Sequence, residues 1–134
     1  MCGIVGLFFK NPQMESQLGA YISDMLVKMA DRGPDSAGLA LYAKPTKFDM
    51  KITLKLEDLT NSTELQSMLK KELNEDFYLG IRGSHLVVQF FETNFNLVSK
   101  VISNLKNPAR LMSQGNMIEI FKEVGPPEEF VKQF

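Results

Sequence analysis

Cys2 is the only cysteine in this chain of 134 residues, and it stands second, between Met1 and Gly3. A small residue at that place favours removal of the initiator Met, which would leave Cys2 with a free α-amine. An α-amine titrates between about 7.7 and 8.0 and a thiol near about 8.5, so at neutral pH one residue could supply both nucleophile and base. The sulfur would attack a carbonyl carbon while the amine, directly or through water, takes the thiol proton. Gly3 and Gly6 would remove side chains where a substrate or the backbone must come close. Against this stands a plain alternative, a small packing residue at the start of a strand. On position alone the packing reading is the commoner one.

A second candidate segment is Asp31-Arg32-Gly33-Pro34-Asp35-Ser36-Ala37-Gly38. Taken locally it is a helix end and a turn, with Gly as cap, Pro as breaker, and Asp and Ser bonding nearby amides.

Both segments need elements to hold them, and the pattern predicts these. Ile4 to Phe9 are almost all apolar and β-prone, which predicts a short buried strand ended by Asn11-Pro12. Leu18, Ile22, Met25 and Met29 recur at helical spacing, with Asp24, Lys28 and Asp31 on other faces, and Gly33-Pro34 stops the helix. Met25 and Met29 read as part of its core stripe, not as a metal-binding set. Ala37 to Ala43 predicts a second strand, followed by a polar break at Lys44–Lys47.

Met50, Ile52, Leu54 and Leu56 then alternate with Lys51, Thr53 and Lys55, predicting a strand with one buried and one wet face. Asn61 or Ser62 could cap a helix with Leu65, Leu69 and Leu73 on one side. Phe77–Ile81 and His85–Phe91 predict a hairpin around Arg82-Gly83-Ser84. Val98, Val101, Ile102 and Leu105 mark another helix, closed by Asn107-Pro108. Ala109–Met112 and Met117–Phe121 flank a turn at Ser113-Gln114-Gly115-Asn116. From Met50 onward the order is βαββαβ with one extra strand, which suits a ferredoxin-like sandwich. Gly125-Pro126-Pro127-Glu128-Glu129 reads as a stiff turn into a short helix.

Composition narrows the classes. The net charge of −1 gives no electrostatic footprint for nucleic acid or an anionic membrane, and no apolar run approaches a membrane span. The N-terminus lacks the basic start and small-residue cleavage site of a secretory signal. One cysteine allows neither an internal disulfide nor a thiolate-rich metal site, so a cytoplasmic protein with no metal is expected. His85 reads as structural or exposed. Gly80-Ile81-Arg82-Gly83 matches an RNA-clamping loop in letters but joins strands where that loop joins helices, so it reads as a hairpin turn.

Together the two chemical segments say more than either alone. A Cys-Gly-Ile-Val-Gly start, an amphipathic helix, then Arg-Gly-Pro-Asp-Ser-Ala-Gly and an apolar strand resemble the opening of the class II glutamine amidotransferases. The closest resemblance is to glutamate-synthase-like members, including the amidotransferase-like subunit of methylamine–glutamate methyltransferase systems. It covers residues 1 to about 43 and implies an α+β fold, the N-terminal part of an αββα N-terminal-nucleophile hydrolase sandwich. The ferredoxin-like segment would be an insertion. The implied domain plan is 1–48 for the start of the amidotransferase domain, 49–122 for the insertion, and 123–134 for a tail leading to the rest of the domain.

The resemblance implies release of ammonia from glutamine through a γ-glutamyl thioester on Cys2, without a cofactor. Arg32, helped by Asp35 or Ser36, would order the nucleophile's turn, and Gly3, Gly33 and Gly38 would be structural. The family also uses a His-Thr-Arg segment for the substrate carboxylate and an Asn-Gly pair for the oxyanion. Neither occurs here: His85 is followed by Leu86-Val87, and Gly115-Asn116 runs in the reverse order. The expected partners are therefore a synthase or transferase subunit and the remaining half of the domain, with a homo-oligomer also open. The competing expectations are a catalytically incomplete remnant serving binding or oligomerisation, and a redox-sensing thiol.

Overall fold

The computed structural model describes residues 2–44, 46–58 and 60–134. The expected removal of Met1 and part of the polar break, at Pro45, fall outside these. The chain is an α+β fold with antiparallel sheets, and it divides into two units, Met1–Gly38 with Lys122–Phe134, and Leu39–Phe121. The division falls inside strands β1 (Ser36–Tyr42) and β6 (Ile118–Val124), which pair in a two-stranded sheet. Ala43 N–H donates to Met117 O at 3.0 Å and Gly125 N–H to Asp35 O at 2.9 Å, which gives the pair its antiparallel sense.

The larger unit is built on β2 (Met50–Lys55), α2 (Thr60–Glu72), β3 (Tyr78–Arg82), β4 (His85–Phe90), α3 (Phe95–Ser103) and β5 (Arg110–Gly115). Its sheet has the order β3-β4-β2-β5, and every pairing is antiparallel. Ile52, Leu54, Leu86, Val88 and Phe90 face the helices, where Leu65, Leu69 and Leu73 of α2 and Val98, Val101 and Leu105 at α3 close one core. Helical spacing puts each trio on a single face, so burial and periodicity agree. β3 turns into β4 through Gly83-Ser84, and Gly83 has φ 54°, left-handed backbone that a glycine adopts without strain.

Three expectations are corrected here. The start of α2 is capped by Asp58: its Oδ1 accepts the Thr60 N–H at 2.9 Å. Asn61 and Ser62 lie inside the helix and are buried, and Asn61 Nδ2 donates to Asn107 O at 3.3 Å. The turn between β5 and β6 is tighter than expected, leaving Asn116 and Met117 between the strands.

The third correction concerns the face of β2 expected to be wet. Lys51 is 3% exposed and Thr53 0%, because β6 lies across that face. Lys51 Nζ meets Glu119 Oε1 at 2.6 Å, and the Phe121 ring stands edge-on to His85 at 5.5 Å. Ser113 Oγ accepts the Ile120 N–H at 3.1 Å and donates to Ile118 O at 3.5 Å. An alternating strand predicts two unlike faces, but a polar face can be buried when its charges are paired. The β2–β5 register slips between Thr53 and Leu54, which pair with Ser113 and Leu111 and leave Met112 as the extra residue.

The smaller unit starts as extended chain. Asn11 Oδ1 accepts the Gln13 N–H at 3.1 Å and opens a 3-10 turn at Pro12–Gln17, which leads into α1 (Leu18–Val27). A second 3-10 turn, Ala30–Arg32, follows, and α4 (Pro127–Phe130) closes the unit. Residues 2–9 form no ladder among the described residues, so the expected nucleophile strand is not present. A strand exists only where a neighbour accepts and donates its main-chain bonds. The segment nonetheless keeps a strand's alternation: Val5, Leu7 and Phe9 are half-buried, while Ile4 is 94% and Phe8 83% exposed.

Candidate functional site

Cys2 is exposed and its thiol is free. The backbone that carries it is seated by its neighbour. A Cβ placed on Gly3 would overlap the ε-methyl of Met29 and lie 3.4 Å from Cβ of Arg32. A side chain at position 3 would make the Met29 methyl shift, and the root of Arg32 leaves little room beside it. Gly6 has nothing within 4 Å of an added Cβ, so no part of the described chain demands glycine there.

The turn beneath Gly3 is short and regular. Arg32 N–H donates to Met29 O at 2.9 Å and Gly33 N–H to Ala30 O at 3.1 Å. In a 3-10 turn residues three apart are eclipsed, which brings the roots of Met29 and Arg32 side by side. Gly33 has φ −162° and ψ 73°, extended backbone that does not by itself call for glycine. Gly38 lies within β1 and is exposed.

The structure thus brings the backbone at Gly3, next to Cys2 in the chain, against the Arg32 turn. It brings in the other expected residues less closely. Arg32, Asp35 and Ser36 are exposed, and among the described residues no hydrogen bond or ion pair reaches their side chains. Arg32 meets the nucleophile's neighbour through its Cβ, not its guanidinium. Asp35 is held by its backbone, where its carbonyl accepts the Gly125 N–H. Sequence reasoning missed Met29, which it placed on a helical core stripe. The helix stops at Val27, and Met29 turns instead onto Gly3, a contact between segments that no local pattern announces.

Among the described residues no cluster of three or more His, Cys, Asp or Glu could hold a metal, and no helix is long and apolar enough to cross a membrane. Chemically, the arrangement is an accessible thiol next to a glycine whose backbone approaches an arginine turn.

Comparison with known proteins gives two relatives. The chain is 38% identical over 135 residues to the "Glutamine amidotransferase-like protein GlxB" of Rhizobium meliloti, a match that takes in all of this chain and 44% of the relative. It is 48% identical over 42 residues to a "Putative glutamine amidotransferase" of Methanothermobacter thermautotrophicus, covering 31% of this chain and 13% of that protein. The chain thus spans less than half the length of either. No protein-family model matches it, and no solved structure does.

Proposed function

We propose that the chain, 38% identical along its whole length to a glutamine amidotransferase-like protein, is the N-terminal part of a class II glutaminase domain. Cys2, freed of Met1, attacks the γ-carboxamide carbon of glutamine and passes its thiol proton to its own α-amine. Ammonia leaves with that proton, and water then cleaves the thioester to glutamate. The observation that carries this reading is the close approach of the Gly3 backbone to Met29 and the root of Arg32, one residue along from the exposed Cys2 thiol.

The strand order β3-β4-β2-β5, antiparallel throughout, supports reading the larger unit as a ferredoxin-like insertion. The exposed Ile4 and Phe8 on an unladdered segment support completion by further strands, supplied by the polypeptide that corresponds to the rest of the relative. That polypeptide would also bring the carboxylate clamp and oxyanion donors. A missing oxyanion donor alone costs about a hundred- to a thousand-fold in turnover. A synthase or transferase subunit would receive the ammonia.

The test is covalent. A diazoketone analogue of glutamine should label Cys2 when the complementary polypeptide is present, and Cys2→Ala should abolish both labelling and ammonia release. Labelling under neither condition would sink the proposal. The unpartnered side chains of Arg32, Asp35 and Ser36 favour a second reading, a catalytically incomplete remnant used for binding or oligomerisation. Under it, Cys2→Ala leaves assembly and phenotype unchanged; loss of ammonia production in that variant rules it out.

A further inference from the structure

We propose that Met29 is a positioning residue for the Cys2 nucleophile. Its ε-methyl and the root of Arg32 form a notch that fixes the backbone of Gly3. This rests on the glutaminase reading of Cys2.

A Cβ built on Gly3 would overlap Met29 Cε and lie 3.6 Å from Met29 Cβ and 3.4 Å from Arg32 Cβ. All three come from one 3-10 turn, whose closing bond runs from Arg32 N–H to Met29 O at 2.9 Å. Cys2 and Gly3 share a peptide plane, so their Cα atoms are about 3.8 Å apart and the place of one sets the place of the other. The segment 2–9 forms no ladder among the described residues. The notch therefore seats the chain at its reactive end, where a displacement of about 1 Å can cost roughly a hundredfold in rate. A thioether suits the task, because it is flexible enough to fill an irregular gap.

The geometry dictates a size exchange. Gly3→Ala puts a methyl where the Met29 methyl already sits, and Met29→Ala empties the same space. The double variant Gly3→Ala/Met29→Ala restores the occupancy with the partners reversed. In the protein assembled with its complementary polypeptide, each single variant should lower kcat for glutamine about ten- to a hundredfold with KM nearly unchanged. The double variant should recover to within a few-fold of the parent, and Met29→Leu, which keeps the bulk, should lose less than Met29→Ala.

A second readout needs no catalysis. In the chain labelled with 13C-methyl methionine, Gly3→Ala should move the Met29 resonance and leave Met112 and Met117 in place. The proposal is overturned by an unmoved Met29 resonance, by single variants with parental kcat, or by a double variant in which the losses simply multiply. If the parent protein releases no ammonia while the Met29 resonance still moves, the glutaminase reading fails and the notch stands.

Discussion

Replacing Glu119 by Gln strands the ammonium of Lys51 inside the larger unit, and the cost follows from the geometry. The two charges are 2.6 Å apart, with side chains 3% and 12% exposed. At an effective dielectric near 20 their attraction is roughly 6 kcal/mol, opposed by several kcal/mol of desolvation for each ion. The intact pair is thus close to neutral, while loss of one partner costs about 3–5 kcal/mol. Lys51 is the deeper of the two, so Glu119→Gln should cost more than Lys51→Met, which also keeps an apolar stem in place. Lys51→Met/Glu119→Leu should return most of the loss, giving a coupling of about 2–3 kcal/mol. Urea-dependent hydrogen exchange at the slowest amides of β2 and β4 reads this unit by itself. Single variants within about 0.5 kcal/mol of the parent, or a cycle that is additive, would refute the reasoning.

Two further predictions concern the same unit. Gly83, at φ 54°, should accept Asn with little loss, whereas Gly83→Val should lower stability by about 1–2 kcal/mol, seen as an earlier urea midpoint at unchanged slope; equal midpoints would refute this. The Asp58 carboxyl is held below the ordinary aspartate range by the backbone N–H of Thr60 and then its hydroxyl, and Asp76 by its hydrogen bond from Lys47 and then that charge. A lowered folded value means that the unfolded chain takes up protons first. Both groups therefore stabilise above their unfolded values, and that contribution is lost as pH falls through the folded ones. The urea midpoint should drop as pH falls below about 5, and less steeply in Asp58→Asn and Asp76→Asn. The Lys47–Asp76 part should fade with added salt, since that pair is exposed; variants as acid-sensitive as the parent would count against the assignment.

The periodic elements were legible in the sequence because burial there follows local spacing. Leu65, Leu69 and Leu73 announce α2, and the alternation of Met50, Ile52 and Leu54 announces the core face of β2. What failed involved partners distant in the chain. The second face of β2 is dry because Glu119 and Phe121 arrive from β6. Ile4–Phe9 has the pattern of a strand, but its ladder depends on neighbours that the pattern does not contain. For the site, Cys2 and the Arg32 turn could be paired only by resemblance. The packing of Gly3 on Met29 was hidden because it joins residues on two segments with no shared period.

The bare segment at the N-terminus has a consequence for how this chain behaves in a cell. Main-chain groups without a ladder among the described residues, with Ile4 and Phe8 outward, have the features of a short adhesive template for an extended chain. Its length is limited on the C-terminal side, where Lys10 adds a charge and Pro12 removes an amide, the two devices that interrupt such templates. Lys10-Asn11-Pro12 thus has the composition of a gatekeeper. Such a flank limits an aggregation hazard to the few residues before it.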